Sequence, residues 1–120
     1  MVLGEKPSPE DRFSGEKLSP VLTVWKCSDF SEMIGRTKQM LKFSGEGHSV
    51  SIYSLDQDRQ IELALKVNVG RVDCNMPPHA MANSGSWFNG QPFTDSLGCG
   101  TWAGNMTSDN INYRHFFNYT

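Results

Sequence analysis

Between residues 20 and 75 the chain alternates strand and helix periodicities, and this constrains its fold more than any other feature. "PVLTVWK" (20–26) is a short, nearly continuous apolar run with β-branched residues, the pattern of a strand buried on both faces. In "DFSEMIGRTKQMLKF" the period changes. Phe30, Met33, Ile34, Thr37 and Leu41 fall at i, i+3, i+4, i+7 and i+11, which predicts a helix. Asp29 is placed to cap it, with Glu32 three residues on as the other half of a capping box. Gly35 inside it costs about 1 kcal/mol against Ala, and Gly45 and Gly47 end it. "SVSIYS" (49–54) alternates and predicts a strand. Asp56 caps a second helix over "QDRQIELALKV", with Ile61, Ala64 and Leu65 on one face. "VGRVDCN" (69–75) predicts a third strand.

The order β-α-β-α-β with short connections implies parallel strands and right-handed crossovers, an α/β layer architecture. Three strands leave edges to cover and give the helices little surface to bury against. A chain of 120 residues is one modest domain. The pattern therefore points to a piece of a larger sheet, or to a partner chain. Upstream, "GEKPSPEDRFSGE" (4–16) is polar with two prolines and reads as an exposed loop.

From Met76 to Ser108 the periodicity stops. Five glycines, three prolines and several asparagines are interleaved with Trp87, Phe88, Phe93, Leu97 and Trp102. A stretch of this length without regular structure is either functional or disordered. Disordered segments are poor in aromatics, which favours an ordered, functional loop. The tail "NINYRHFFNYT" reads as a short helix running toward a strand.

Composition excludes several classes. Net charge is −2 and the basic residues are scattered, so there is no electrostatic case for nucleic acid or an anionic membrane surface. No stretch approaches the ~18 apolar residues of a spanning helix, and the N-terminus lacks the apolar core of a signal peptide. The three cysteines, Cys27, Cys74 and Cys99, form no CxxC pair and no zinc spacing. They read as reduced thiols of a cytoplasmic protein. The sequons at Asn105 and Asn118 read as chance matches.

No nucleophile constellation, HExxH or phosphate-binding glycine loop is present. "GCGTWAG" (98–104) starts G-x-G but neither follows a strand nor opens a helix. Cys99 sits between two glycines with no cation beside it in sequence, so nothing there lowers its pKa. His48, His79 and His115 are spread along the chain, each more naturally a structural hydrogen-bonding residue than a catalyst.

Taken together, "EKLSPVL" (16–22), "GEGHSVSIYS" (45–54), "VGRVDCN" (69–75) and "FNGQPFTDSLGCGTWAGN" followed by "NYRHFFN" resemble the C-terminal part of CoA-acylating aldehyde dehydrogenases, from about Glu16 to Thr120. The loop looks most like the subgroup acting on small polar aldehydes such as sulfoacetaldehyde or succinate semialdehyde. The resemblance implies part of an α/β catalytic domain, with 76–108 as the substrate-site loop and 112–120 as the start of an oligomerisation segment. It implies a cysteine thiolate that attacks the aldehyde, hydride transfer to NAD or NADP, and a thioester taken by coenzyme A.

By matching positions, Glu16 is expected to bind the nicotinamide ribose hydroxyls, and Leu18 to pack near the nicotinamide. Without the resemblance, Glu16 reads as a solvated loop glutamate beside Lys17. Pro92 and Phe93 match the loop whose aromatic ring lines the aldehyde pocket, although Phe93 reads equally as an anchor for its own loop. Asn89 and His79 are candidate polar contacts to an anionic substrate or to coenzyme A. Asn75 matches an asparagine that organises backbone at the end of the last strand. The family's nucleophile and dinucleotide-binding domain lie upstream of the matched region, and Cys27 is not that nucleophile. The chain is therefore expected to be inactive by itself and to need the missing N-terminal half or an oligomeric partner. A non-catalytic α/β binding module is the alternative. A small carbohydrate-binding domain, suggested by Trp87, Asn89 and Trp102, leaves the strand–helix alternation unexplained.

Overall fold

The computed structural model describes residues 1–76 and 82–118. Among these residues the strands and α-helices are, in order, β1 (Val2–Leu3), β2 (Thr23–Val24), α1 (Phe30–Leu41), β3 (Gly47–Ile52), α2 (Gln57–Lys66) and β4 (Val69–Cys74), followed by 3-10 helices at Thr101–Ala103 and Tyr113–Phe116. The α/β class and the parallel strands expected from the sequence are present. The pairing is not that of one three-stranded sheet. β1 pairs with β2, and β3 with β4, each pair parallel.

The 20–26 strand shrinks to two residues. Val21 and Leu22 are open to solvent rather than buried on both faces. Its partner is the unforeseen β1, which approaches closely because Gly4 has no side chain; a Cβ there would lie 2.3 Å from the Trp25 indole nitrogen.

α1 has the expected start, with the Asp29 carboxylate accepting from the Glu32 N–H at 2.8 Å. Such a cap contributes about 1 kcal/mol. The capping box does not close on Asp29, however. The Glu32 carboxylate reaches one residue further back, accepting from the Ser28 N–H at 2.7 Å and the Ser28 hydroxyl at 2.8 Å, and it pairs with Arg36. These donors, the Ser28 N–H foremost, hold its carboxyl at about 2. α2 starts as expected, with Asp56 accepting from the Arg59 N–H. Its buried face differs. Leu63 and the following Val67 are buried, whereas Ile61, Ala64 and Leu65 are exposed. The window "QIELALKV" holds two apolar stripes, and packing against β3 and β4 selects the one through Leu63 and Val67.

The core is Ile34 and Leu41 from α1, Ile52 from β3, Leu63 from α2, and Val67. Phe30, Met33, Val50, Val69 and Val72 pack against it. Side chains alternate along a strand. Val50, Ile52 and Val72 therefore face the helices, while Ser49, Ser51, Arg71 and Asp73 share the opposite face, in register as Ser49 with Arg71 and Ser51 with Asp73. The radius of gyration is 15.4 Å, against about 14 Å for a compact chain of this length. Residues 82–118 supply cover for the polar face of the β3–β4 pair instead of adding to the core.

Candidate functional site

β4 is followed by Asn75, which takes a positive φ of 57°. Its amide brackets Ser54: Oδ1 accepts from the Ser54 N–H and Nδ2 donates to the Ser54 carbonyl, both at 3.0 Å. Asn75 thus fixes the exits of β3 and β4, the backbone role expected of it.

The chain returns as two linked loops. Residues 82–95 close on themselves. The Thr94 N–H donates to the Ser84 carbonyl at 2.9 Å, and Asn89 Nδ2 donates to the Ala82 carbonyl at 2.9 Å. Gly85, at φ 83°, lets the loop cross itself, since a Cβ there would lie 2.6 Å from the Pro92 carbonyl oxygen. Residues 96–111 form a narrow finger. Its legs are joined by Gly98 N–H to Asp109, Gly100 N–H to Thr107 and Ile111 N–H to Ser96, and a short 3-10 helix over Thr101–Ala103 turns at its tip.

One buried arginine ties the finger to the sheet. Arg71 donates from Nε to Asn110 Oδ1, from Nη1 to the Gly98 carbonyl and from Nη2 to the Ser108 carbonyl, each at 3.0 Å. Asn110 turns its amide nitrogen the other way, to the Asn83 carbonyl at 2.7 Å and the Pro92 carbonyl at 2.8 Å. A single asparagine therefore joins β4, the finger and the 82–95 loop. Asn83 donates to Ser49 Oγ at 2.9 Å, tying the loop to β3. Burial raises the carboxyl pKa of Asp73, against the pull of the neighbouring Arg71 charge.

The expected site residues fall in two places. Glu16 is exposed and contributes its N–H to Ser44 Oγ at 3.0 Å. Leu18, on the same loop, is 95 % exposed. Pro92 and Phe93 lie on the 82–95 loop, where the Phe93 ring meets Trp87 edge to face at 5.5 Å, both rings open to solvent. Among the described residues, no hydrogen bond joins the Glu16–Leu18 loop to this second group. Asn89 does not offer a free amide: besides Ala82, its Oδ1 accepts from the Ser86 and Gln91 N–H groups at 3.2 Å. His79 lies outside the described residues. Cys99 is half-buried, and its N–H donates to Asn105 Oδ1 at 2.9 Å.

Arg71 and Asn110 were not singled out from the sequence. Parity was the available signal, because Arg71 and Asp73 share one face of a strand whose other face carries Val72. Pro92, Gln91, Arg71 and Arg114 line a cavity of about 670 Å³, and Phe93 lines a second of about 440 Å³.

No family model matches the chain. It is 44 % identical over 108 residues to a sulfoacetaldehyde dehydrogenase (acylating) of Cupriavidus necator, covering 90 % of this chain and 22 % of that protein. It is 41 % identical over 120 residues to a sulfoacetaldehyde dehydrogenase of an Acholeplasma species, covering 100 % of this chain and 25 % of that one. Among solved structures, an acetylating aldehyde dehydrogenase from Geobacillus thermoglucosidasius superposes at a TM-score of 0.90, with 28 % identity, over 97 % of this chain and 25 % of that chain. The chain thus spans about a quarter of the length of the relatives it matches.

Proposed function

We propose, from the premise that this chain has the sequence and fold of a segment of the acylating aldehyde dehydrogenases, that it supplies part of a catalytic domain converting a small polar aldehyde to an acyl-CoA. The observation that carries this reading is the likeness of nearly the whole chain to an acetylating enzyme, at a TM-score of 0.90. NAD or NADP, when bound, accepts the hydride, and coenzyme A accepts the acyl group.

The residues of this chain suit that arrangement. Among the described residues, nothing donates to the Glu16 carboxylate, so both its oxygens are open to a ribose diol. Leu18 offers exposed apolar surface that a nicotinamide ring would cover. Phe93 and Pro92 form the wall of the aldehyde site, on a loop that Asn110 holds to the sheet. Asn89 serves that site by shaping the loop, and His79 is assigned as a polar contact to substrate or coenzyme A. The exposed rings of Tyr113, Phe116 and Phe117 support assigning 112–120 to an oligomer contact. Cys27, Cys74 and Cys99 are free thiols, which suits a cytoplasmic location. No helix among the described residues is long and apolar enough to cross a membrane.

The test is complementation. The chain is mixed with the N-terminal remainder of a related enzyme, and NAD+ reduction is followed with a small polar aldehyde and coenzyme A. Coenzyme A-dependent activity in the mixture alone is expected. Glu16→Gln should raise the KM for NAD+, and Phe93→Ala the KM for the aldehyde. A folded chain that never restores activity refutes the reading and leaves the non-catalytic α/β binding module in its place.

A further inference from the structure

The cavity of about 670 Å³ beside β4 carries an unusual charge pattern. Arg71 and Arg114 both line it, together with His115, Gln91, Asn112 and a single carboxylate, Asp109. Arg71 is 7 % exposed, and its three partners are an amide oxygen and two carbonyls, so none of them neutralises its charge. Among the described residues, neither arginine lies in an ion pair; the pairs present involve Arg36, Arg59 and Lys66. Asp73 on the same strand face is the other nearby carboxylate; burial raises its pKa while the Arg71 charge lowers it, and among the described residues no ion pair joins the two. A guanidinium withdrawn from water without a direct ion-pair partner is costly, and an anion in contact with it recovers part of that cost.

The donors are in place. A guanidinium has five N–H groups, and three of those on Arg71 are engaged, leaving one on each terminal nitrogen. Arg114 spends only Nε, on Tyr113 Oη at 3.3 Å, and that contact keeps its pKa raised. His115 Nδ1 accepts from the Asn112 N–H at 3.0 Å, so the neutral ring carries its proton on Nε2 as a donor. Gln91 Oε1 is buried without a partner. Because amide oxygen and nitrogen exchange by a flip, this position can equally present the amide N–H₂.

We infer that this cavity is a binding site for a tetrahedral oxyanion, a sulfonate or a phosphate group, held by Arg71 and Arg114 with His115 and Gln91 as further donors. Planar guanidinium forks match such oxygens in pairs. Pro92 lies on the cavity wall and the next residue, Phe93, lines the neighbouring cavity, so an anion here lies next to the loop assigned to the aldehyde. Two sources of the group fit: the anionic tail of the aldehyde, or a phosphate of a cofactor. The first source rests on the function proposed above; the affinity for an oxyanion does not.

The experiment titrates the 15N-labelled chain, at constant ionic strength, with 2-hydroxyethanesulfonate and separately with inorganic phosphate, reading amide shifts and the melting temperature. Binding on the order of millimolar is expected. The shifts should concentrate at Gly70, Gln91, Asn112 and Arg114. Arg114→Gln, an exposed position, should weaken binding by about tenfold, the scale of one charge-assisted contact. Arg59→Gln, outside the cavity, should leave it unchanged. Preference for the sulfonate assigns the site to the aldehyde's tail, and preference for phosphate to a cofactor. Absence of saturable shifts with both anions, or equal weakening by the Arg59 and Arg114 variants, overturns the site. Retained binding without complementation would refute the enzyme reading alone, and complementation without binding would refute the cavity alone.

Discussion

Replacing Asn110 by Ala removes a side chain that holds three parts of the molecule together. Asn110 is 4 % exposed. Its loss deletes the acceptor for the Arg71 guanidinium and the donor to the Asn83 and Pro92 carbonyls. A hydrogen bond to a charged group is worth about 1.5–3 kcal/mol and a neutral one about 0.5–1.5 kcal/mol, so one of the first and two of the second sum to roughly 2.5–6 kcal/mol. None of these groups belongs to the core of Ile34, Leu41, Ile52, Leu63 and Val67. The loss should therefore appear as local opening of the finger and the 82–95 loop, not as global unfolding. Residue-resolved hydrogen exchange gives the measurement. The N–H groups of Gly98, Gly100, Ile111 and Thr94, bonded across these loops, should exchange roughly a hundredfold to ten-thousandfold faster. The Asn75 N–H, bonded to the Ile52 carbonyl, should keep its protection. An equal loss of protection at Asn75 and Gly98 would show that loop and core open together and would refute the division. Unchanged protection at Gly98 would refute the keystone role.

The core prediction is simpler. Leu63→Ala empties a site that is 1 % exposed and should cost about 2–5 kcal/mol, read as a lower midpoint in denaturant at unchanged slope. Asp73→Asn should stabilise the chain at neutral pH. The folded state binds the Asp73 proton more tightly than the unfolded state does at its ordinary value of 3.8. That contribution is full below this value and is lost as pH rises through the raised folded pKa, so the variant's advantage should vanish below about pH 4. Gly35→Ala should stabilise by roughly 0.5–1 kcal/mol, because the position is helical and a Cβ there meets nothing within 4 Å. Gly98→Ala should do the reverse and loosen the finger, since its Cβ would lie 2.3 Å from the Thr107 carbonyl oxygen; melting temperature and Gly100 amide exchange separate the two cases.

What the sequence made legible was local. The α1 stripe and the caps Asp29 and Asp56 depend on neighbours within a few turns, and they are where spacing put them. The second helix shows the limit of that logic. Both stripes of "QIELALKV" satisfy the helical period, and the choice between them is made by β3 and β4. The exposed stripe, with Ile61 and Leu65, is apolar surface left open to solvent. Likewise the pairing of β2 with β1 instead of the other strands depends on Gly4 and Trp25, far apart in sequence and close in space.

The candidate site was legible in kind but not in its wiring. A glycine- and asparagine-rich stretch studded with aromatics had to be ordered by something, and the period of two in "VGRVDCN" held the answer. A strand with Val72 on one face and Arg71 and Asp73 on the other cannot be buried on both sides by apolar groups. It needs a polar cover that brings its own acceptors. Among the described residues the later segment supplies them, as the Gly98 and Ser108 carbonyls and Asn110 Oδ1. The separation of 39 residues between Arg71 and Asn110 puts that match beyond any spacing rule. Asparagines suit this task. An amide can accept on one side and donate on the other, as Asn110, Asn89 and Asn75 each do. A loop built this way is held by directional contacts at defined points, which leaves its aromatic surface, Trp87 and Phe93, free to face a ligand instead of its own core.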